Sequence, residues 1–262
     1  MKKRRVGLLA VVAATFLVVM LAIRILLLVA APSGSGLTPP LVLRVMATGL
    51  LFDVATLSYA LIPVALYLLL IPRVLASSRV HGWVMTLLYT LFVGLLLFDA
   101  VAEYLFFQEF GTRFNFIAVD YLIYTREVIG NIRESYPLRH IFAGIGIGAV
   151  VITILIQKRL ASAVAATFQG KRRRIGGALL IPPLLAFFFL DIDRSTIRGN
   201  SYATEIAGNG IYNLVAAFRS NALDFQRFYR TLPEERVVSR LKSLNAEPNN
   251  RVPDPTRPFT PG

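Results

Sequence analysis

The sequence has 262 residues, 55% of them hydrophobic and only 16% charged, with a mean hydropathy of +0.61. A soluble domain carries roughly 45–50% apolar residues, so a single water-soluble globule is excluded. The net charge of +13 is not a nucleic-acid footprint either: Lys2, Lys3, Arg4, Arg5, Arg73, Arg79, Lys158, Arg159 and Lys171 to Arg174 fall in three short segments without an acidic residue, and the other basic residues nearly balance the acids.

Those basic segments alternate with apolar stretches at about 6 to 31, 45 to 71, 82 to 107, 139 to 157 and 175 to 191, near the length of about 20 residues that crosses a bilayer core. Basic residues collect on the cytoplasmic side, so the pattern predicts five transmembrane helices with the N-terminus inside and the C-terminus outside. The first stretch starts like a signal peptide, but its apolar run is too long and no convincing A-x-A site follows, so it reads as a retained anchor. PSGSGLTPP at 32–40 is a short outer loop and IPRVLASSRVHG at 71–82 a short inner one.

The outer loop from about 107 to 138 is richer. Phe114, Ile117, Tyr121, Val128 and Ile132 fall on one side of a helical projection, with Asp120, Glu127, Asn131 and Glu134 on another, which predicts a largely helical loop on the membrane surface or capping the helices. Within the fourth span, AGIGIGAV at 143–150 is read as close helix packing through Gly144 and Gly148 rather than as a nucleotide loop.

After the fifth span the composition turns polar. Residues 192–247 are expected to form a juxtamembrane helical segment, with a stripe of Ile211, Leu214, Val215, Phe218, Ala222, Phe225 and Tyr229 starting near Asn209-Gly210 and a shorter helix at about Pro233 to Asn245. Five prolines from Pro248 to Pro261 make 248–262 an extended linker. The fold class is therefore all-α: a polytopic membrane protein with a transmembrane domain over 1–191, amphipathic surface helices and a Pro-rich tail.

Four ionisable side chains lie inside the predicted spans: Arg24, Asp53, Asp99 and Glu103. At 1.5 Å per residue the first three lie roughly 10–12 Å below the outer boundary, with Glu103 one turn shallower. A shared depth lets them compensate one another, so they are expected to converge. They form either a polar notch for a lipid headgroup or an interhelical ion pair, of Arg24 with Asp53 or Asp99, that holds the helices together. At the start of the outer loop, Arg113, Asn115 and Asp120 are candidates for a headgroup contact, since a guanidinium forks onto phosphate and short polar groups reach glycerol hydroxyls; the alternative is that they cap and orient the loop helix. His81 and His140 fall on opposite sides of the membrane, and no set of residues with metal-ligand or nucleophile spacing is visible.

Two outer segments, FGTRFNFIAVDYLIYTREVIGNIRESYP at 110–137 and RGNSYATEIAGNGIYNLVAAFRSNALDFQRFY at 198–229, resemble the membrane part of the lipoteichoic acid synthase-like phosphoglycerol transferases, members of the sulfatase-type membrane enzymes of bacteria. The resemblance implies a bacterial cytoplasmic (inner) membrane location, phosphatidylglycerol as a lipid partner, and an extracytoplasmic sulfatase-like domain after the second segment. That domain would hold a divalent metal such as Mn or Mg. None of its motif residues has a counterpart in this sequence, so the chain itself is expected to have no catalytic residue and no cofactor. It would be a membrane-anchoring, lipid-facing module, with the catalytic domain on a separate chain of a truncated or split gene. The alternative is a non-enzymatic lipid-binding or scaffold protein of the cell envelope.

Overall fold

The computed structural model describes residues 7–71, 78–123, 125–167 and 172–219, and those residues form helices and no strands. Helix α1 is Leu8–Ala30, α2 Pro39–Ala60, α3 Ile62–Leu70, α4 Arg79–Phe110, α5 Phe116–Ile123, α6 Thr125–Ser135, α7 Leu138–Thr167, α8 Arg172–Ala178 and α9 Ile181–Phe189; a 3-10 turn at Ile192–Ser195 leads to α10, Ser201–Ala207, and α11, Gly210–Arg219. The shorter helix at 233–245 and the Pro-rich tail lie outside the described residues.

Among the described residues four helices are long and apolar enough to cross a membrane: Leu8–Ala30, Pro39–Leu70, Val80–Phe110 and Leu138–Val164. The fifth apolar stretch is a shorter helix, Arg174–Phe189. It is broken near Leu179-Leu180 because Pro182 and Pro183 cannot donate to the preceding turn. Pro63 breaks the second span at Leu61 in the same way. The shorter stretch nevertheless follows the second span along its length, α8 packing on α3 and α9 on α2.

Local chemistry sets the ends. Ser78 caps α4 by accepting from the His81 N–H at 3.1 Å. Gly111 stops the same helix at φ 68°, with its N–H on the Phe107 carbonyl at 2.9 Å, a left-handed geometry that favours glycine. Asn200 caps α10 through the Ala203 N–H at 2.8 Å and also donates to the Ser35 carbonyl at 2.6 Å, fastening the 32–40 loop to the segment after α9.

Helices α1, α4 and α7 pack together, with α2 against α1. We call the end of this assembly where α1 and α4 finish and α2 and α7 begin the distal end. Two apolar clusters fill the interior. One surrounds Phe16, Met20, Leu57, Tyr89, Val93 and Leu160; the other, distal, joins Ile23, Leu27, Val45 and Phe107 to Ile197, Ala203 and Ile206. Outward, Val29, Leu70, Leu155, Phe188 and Phe189 are all more than 70% exposed. That surface would aggregate in water and suits contact with lipid. In α7 a Cβ added at Gly148 would lie 3.2 Å from Leu97 of α4, whereas one at Gly144 would meet nothing within 4 Å. Close helix packing is thus carried by Gly148 and not by Gly144.

A buried polar layer as the candidate functional site

Between the two apolar clusters lies a layer of charge. Arg24 of α1 is 1% exposed, and its guanidinium is filled on every side. Nη2 donates to Asp53 Oδ1 at 2.7 Å and to the Gly49 carbonyl at 3.1 Å; Nη1 donates to the Gly208 carbonyl at 2.9 Å and to the Ile206 carbonyl. Gly49 and Asp53 stand one turn apart on α2, so the missing side chain at 49 is the space that the guanidinium occupies. Asp53 in turn accepts from Asn209 Nδ2 at 2.8 Å. The Oδ1 of Asn209 accepts the Tyr212 N–H at 3.1 Å, so this side chain caps α11 while bonding to a carboxylate of α2.

A second pair sits beside the first. Arg113 and Glu103 are both 0% exposed, with Arg113 Nε 2.9 Å from Glu103 Oε1. The N–H is not aimed at that oxygen, so this is a charge contact rather than an aligned hydrogen bond. Arg113 Nη1 donates to the Gly208 carbonyl at 2.9 Å, and its backbone N–H to Glu205 Oε2 at 3.0 Å. Burial raises the Glu205 carboxyl above the ordinary glutamate range, while the N–H and charge of Arg113 pull the other way. One carbonyl, that of Gly208, thus receives both guanidiniums and joins the two pairs.

Of the four intramembrane residues read from sequence, Arg24 and Asp53 bond directly, and Glu103 adjoins them through Arg113 and Gly208. Asp99 is only half-buried, and its buried Oδ2 has no hydrogen-bond partner. Arg113 is not at the surface, where a headgroup contact would need it: it is wholly buried, with Nη1 on the Gly208 carbonyl and Nη2 without a hydrogen-bond partner. Asn115 accepts the Ile117 N–H at 2.9 Å and donates to Thr112 Oγ1 at 3.0 Å, the capping role of the alternative reading, while Asp120 is exposed. Helix α11 begins at Gly210 and packs on α5, but Val215 and Phe218 of its apolar stripe are 54% and 62% exposed. The face turned inward holds Gly210 and Asn213. A Cβ at Gly210 would stand 2.5 Å from the Glu103 carboxyl carbon, which is why this turn can approach so closely.

The two segments that carry the family resemblance meet here, Arg113 of one against Glu205 and Gly208 of the other. No family model, no curated protein and no solved structure matches the chain. Among the described residues no group of three or more His, Asp or Glu side chains is placed to hold a metal ion. The arrangement positions elements: it clamps the α10–α11 turn onto α1, α2 and α4 through buried, charge-assisted bonds.

Proposed function

We propose that this chain is a membrane-anchoring module whose distal α10–α11 segment is a fixed extracytoplasmic platform for a catalytic domain. It would serve in the manner of the membrane part of a lipoteichoic acid synthase-like phosphoglycerol transferase. The observation that carries the reading is the convergence of Arg24 and Arg113 on the Gly208 carbonyl. A segment serving only as a tether needs no such attachment, whereas one that must hold a second domain at a set height does. Five crossings are part of the proposal: Arg174–Phe189 lies along α3 and then α2, and the broken helix spans about 24 Å at 1.5 Å per residue. The acid-free basic segments support a cytoplasmic N-terminus, and a bacterial inner membrane is what the family resemblance implies.

The sequence lacks cysteine, so introduced thiols report without background. Arg198→Cys and Ser201→Cys, both at exposed positions, are expected to react with a membrane-impermeant maleimide in intact spheroplasts, and Gly82→Cys only after lysis. Protection of Arg198→Cys and Ser201→Cys until lysis would overturn the five-span platform. The catalytic partner is tested by the neighbouring reading frames: a sulfatase-type extracytoplasmic frame beside this one supports the module, and its absence across related genomes favours the scaffold reading.

A further inference from the structure

At the distal end, where α6 turns into α7, an open cavity of about 830 Å³ is lined by Arg133, Tyr136, Pro137, Leu138, Arg139 and His140, with Phe142 at its edge. We infer that this cavity holds the phosphodiester headgroup of an anionic phospholipid, with an acyl chain running down α7 past Phe142. It is a site separate from the buried polar layer and does not depend on the proposed platform.

The charge is of one sign. Arg133, Arg139 and His140 are exposed, no lining residue is acidic, and among the described residues neither guanidinium has an ion pair. Outside the lining, Glu109 accepts from the Tyr136 hydroxyl at 3.3 Å, and the exposed Glu134 follows Arg133 in the sequence. Two guanidiniums six residues apart, on either side of a proline turn, can approach one phosphate from two directions, a planar fork suited to paired oxygens. Arg139 sits in the first turn of a thirty-residue helix, whose dipole adds to the attraction for an anion, while Arg133 stands in the last turn of α6.

The rest of the lining selects a lipid over a free anion. Pro137, Leu138 and Phe142 are apolar, and Phe142 is 55% exposed while its ring stacks on Phe98 of α4 at 6.1 Å. The groove therefore opens onto the lipid-facing side of α4 and α7. Tyr136 between the two arginines has the amphipathic ring typical of the headgroup level. A soluble phosphate would find the charges but have no use for the apolar floor.

The full chain is purified in a neutral detergent and equilibrated with phosphatidylglycerol or phosphatidylcholine, and retained lipid is counted by native mass spectrometry. Phosphatidylglycerol is expected to be retained over phosphatidylcholine, and Arg133→Gln/Arg139→Gln to weaken that retention by roughly tenfold. Arg44→Gln, an exposed arginine near the same end, is expected to leave it unchanged. A diazirine-bearing phosphatidylglycerol should crosslink at Tyr136 to Phe142, which reads the site even if the double variant is poorly folded. Equal retention of both lipids, an unchanged double variant, or crosslinks confined to other helices would overturn the site. Release of the lipid by millimolar inorganic phosphate would assign the cavity to a free anion instead.

Discussion

Arg24→Met is expected to destabilise the protein by about 3–5 kcal/mol, the range for removing one partner of a buried ion pair. Methionine keeps the apolar stem but not the guanidinium, so it leaves the Asp53 carboxylate, 3% exposed, with Asn209 as its remaining partner, and strips a donor from the carbonyls of Gly49, Ile206 and Gly208. Arg44→Met, at an exposed position on α2, should stay within about 0.5 kcal/mol. Adding Asp53→Asn to Arg24→Met should recover part of the loss, because the buried anion is gone while Oδ1 still accepts from Asn209. The measurement is reversible unfolding of the purified chain in mixed micelles. Equal stability of Arg24→Met and Arg44→Met would refute the central role of the polar layer. A double variant no better than Arg24→Met would assign the loss to the three carbonyls rather than to Asp53.

How much of this layer could be read beforehand follows from where its members lie. Arg24 and Asp53 sit in apolar stretches, where a charge is conspicuous, and equal depth is a strong enough constraint to bring them together. Arg113, Glu205 and Asn209 sit in polar segments that look like solvated loops. Their burial arises only when those segments fold back onto the distal end, and helical periodicity carries no information about that. Two local signals did point there. Gly49 precedes Asp53 by one turn, leaving a gap on one face of α2, and Asn209-Gly210 marks the start of α11. The apolar stripe of α11 shows the effect of the solvent: in water it would turn inward, but beside lipid Val215 and Phe218 can remain outside, and the small and polar Gly210 and Asn213 make the contact. The same change of solvent explains why the two prolines after Leu180 shorten the fifth stretch without turning it into a loop. Its apolar side chains still need the second span or lipid beside them.

The space at Gly49 yields the other large effect. Gly49→Ala is expected to lower stability by at least about 2 kcal/mol, against the usual preference of a helix interior for alanine, which favours the variant by about 1 kcal/mol. A Cβ there would overlap Cζ, Nη1 and Nε of Arg24. The guanidinium cannot swing aside without giving up Asp53 and the carbonyls of Gly49, Ile206 and Gly208, so either the helices part or the ion pair breaks. Gly144→Ala supplies the contrast within the same fold. Its Cβ would enter open space on α7, so it should be neutral or stabilising by up to about 1 kcal/mol. Combining Gly49→Ala with Arg24→Met should cost less than the two substitutions summed, since methionine vacates the place the new methyl needs. Additive losses, or a Gly49→Ala protein as stable as Gly144→Ala, would show that the guanidinium does not occupy the gap on α2 and that the clamp on the Gly208 carbonyl is not what fixes the α10–α11 turn.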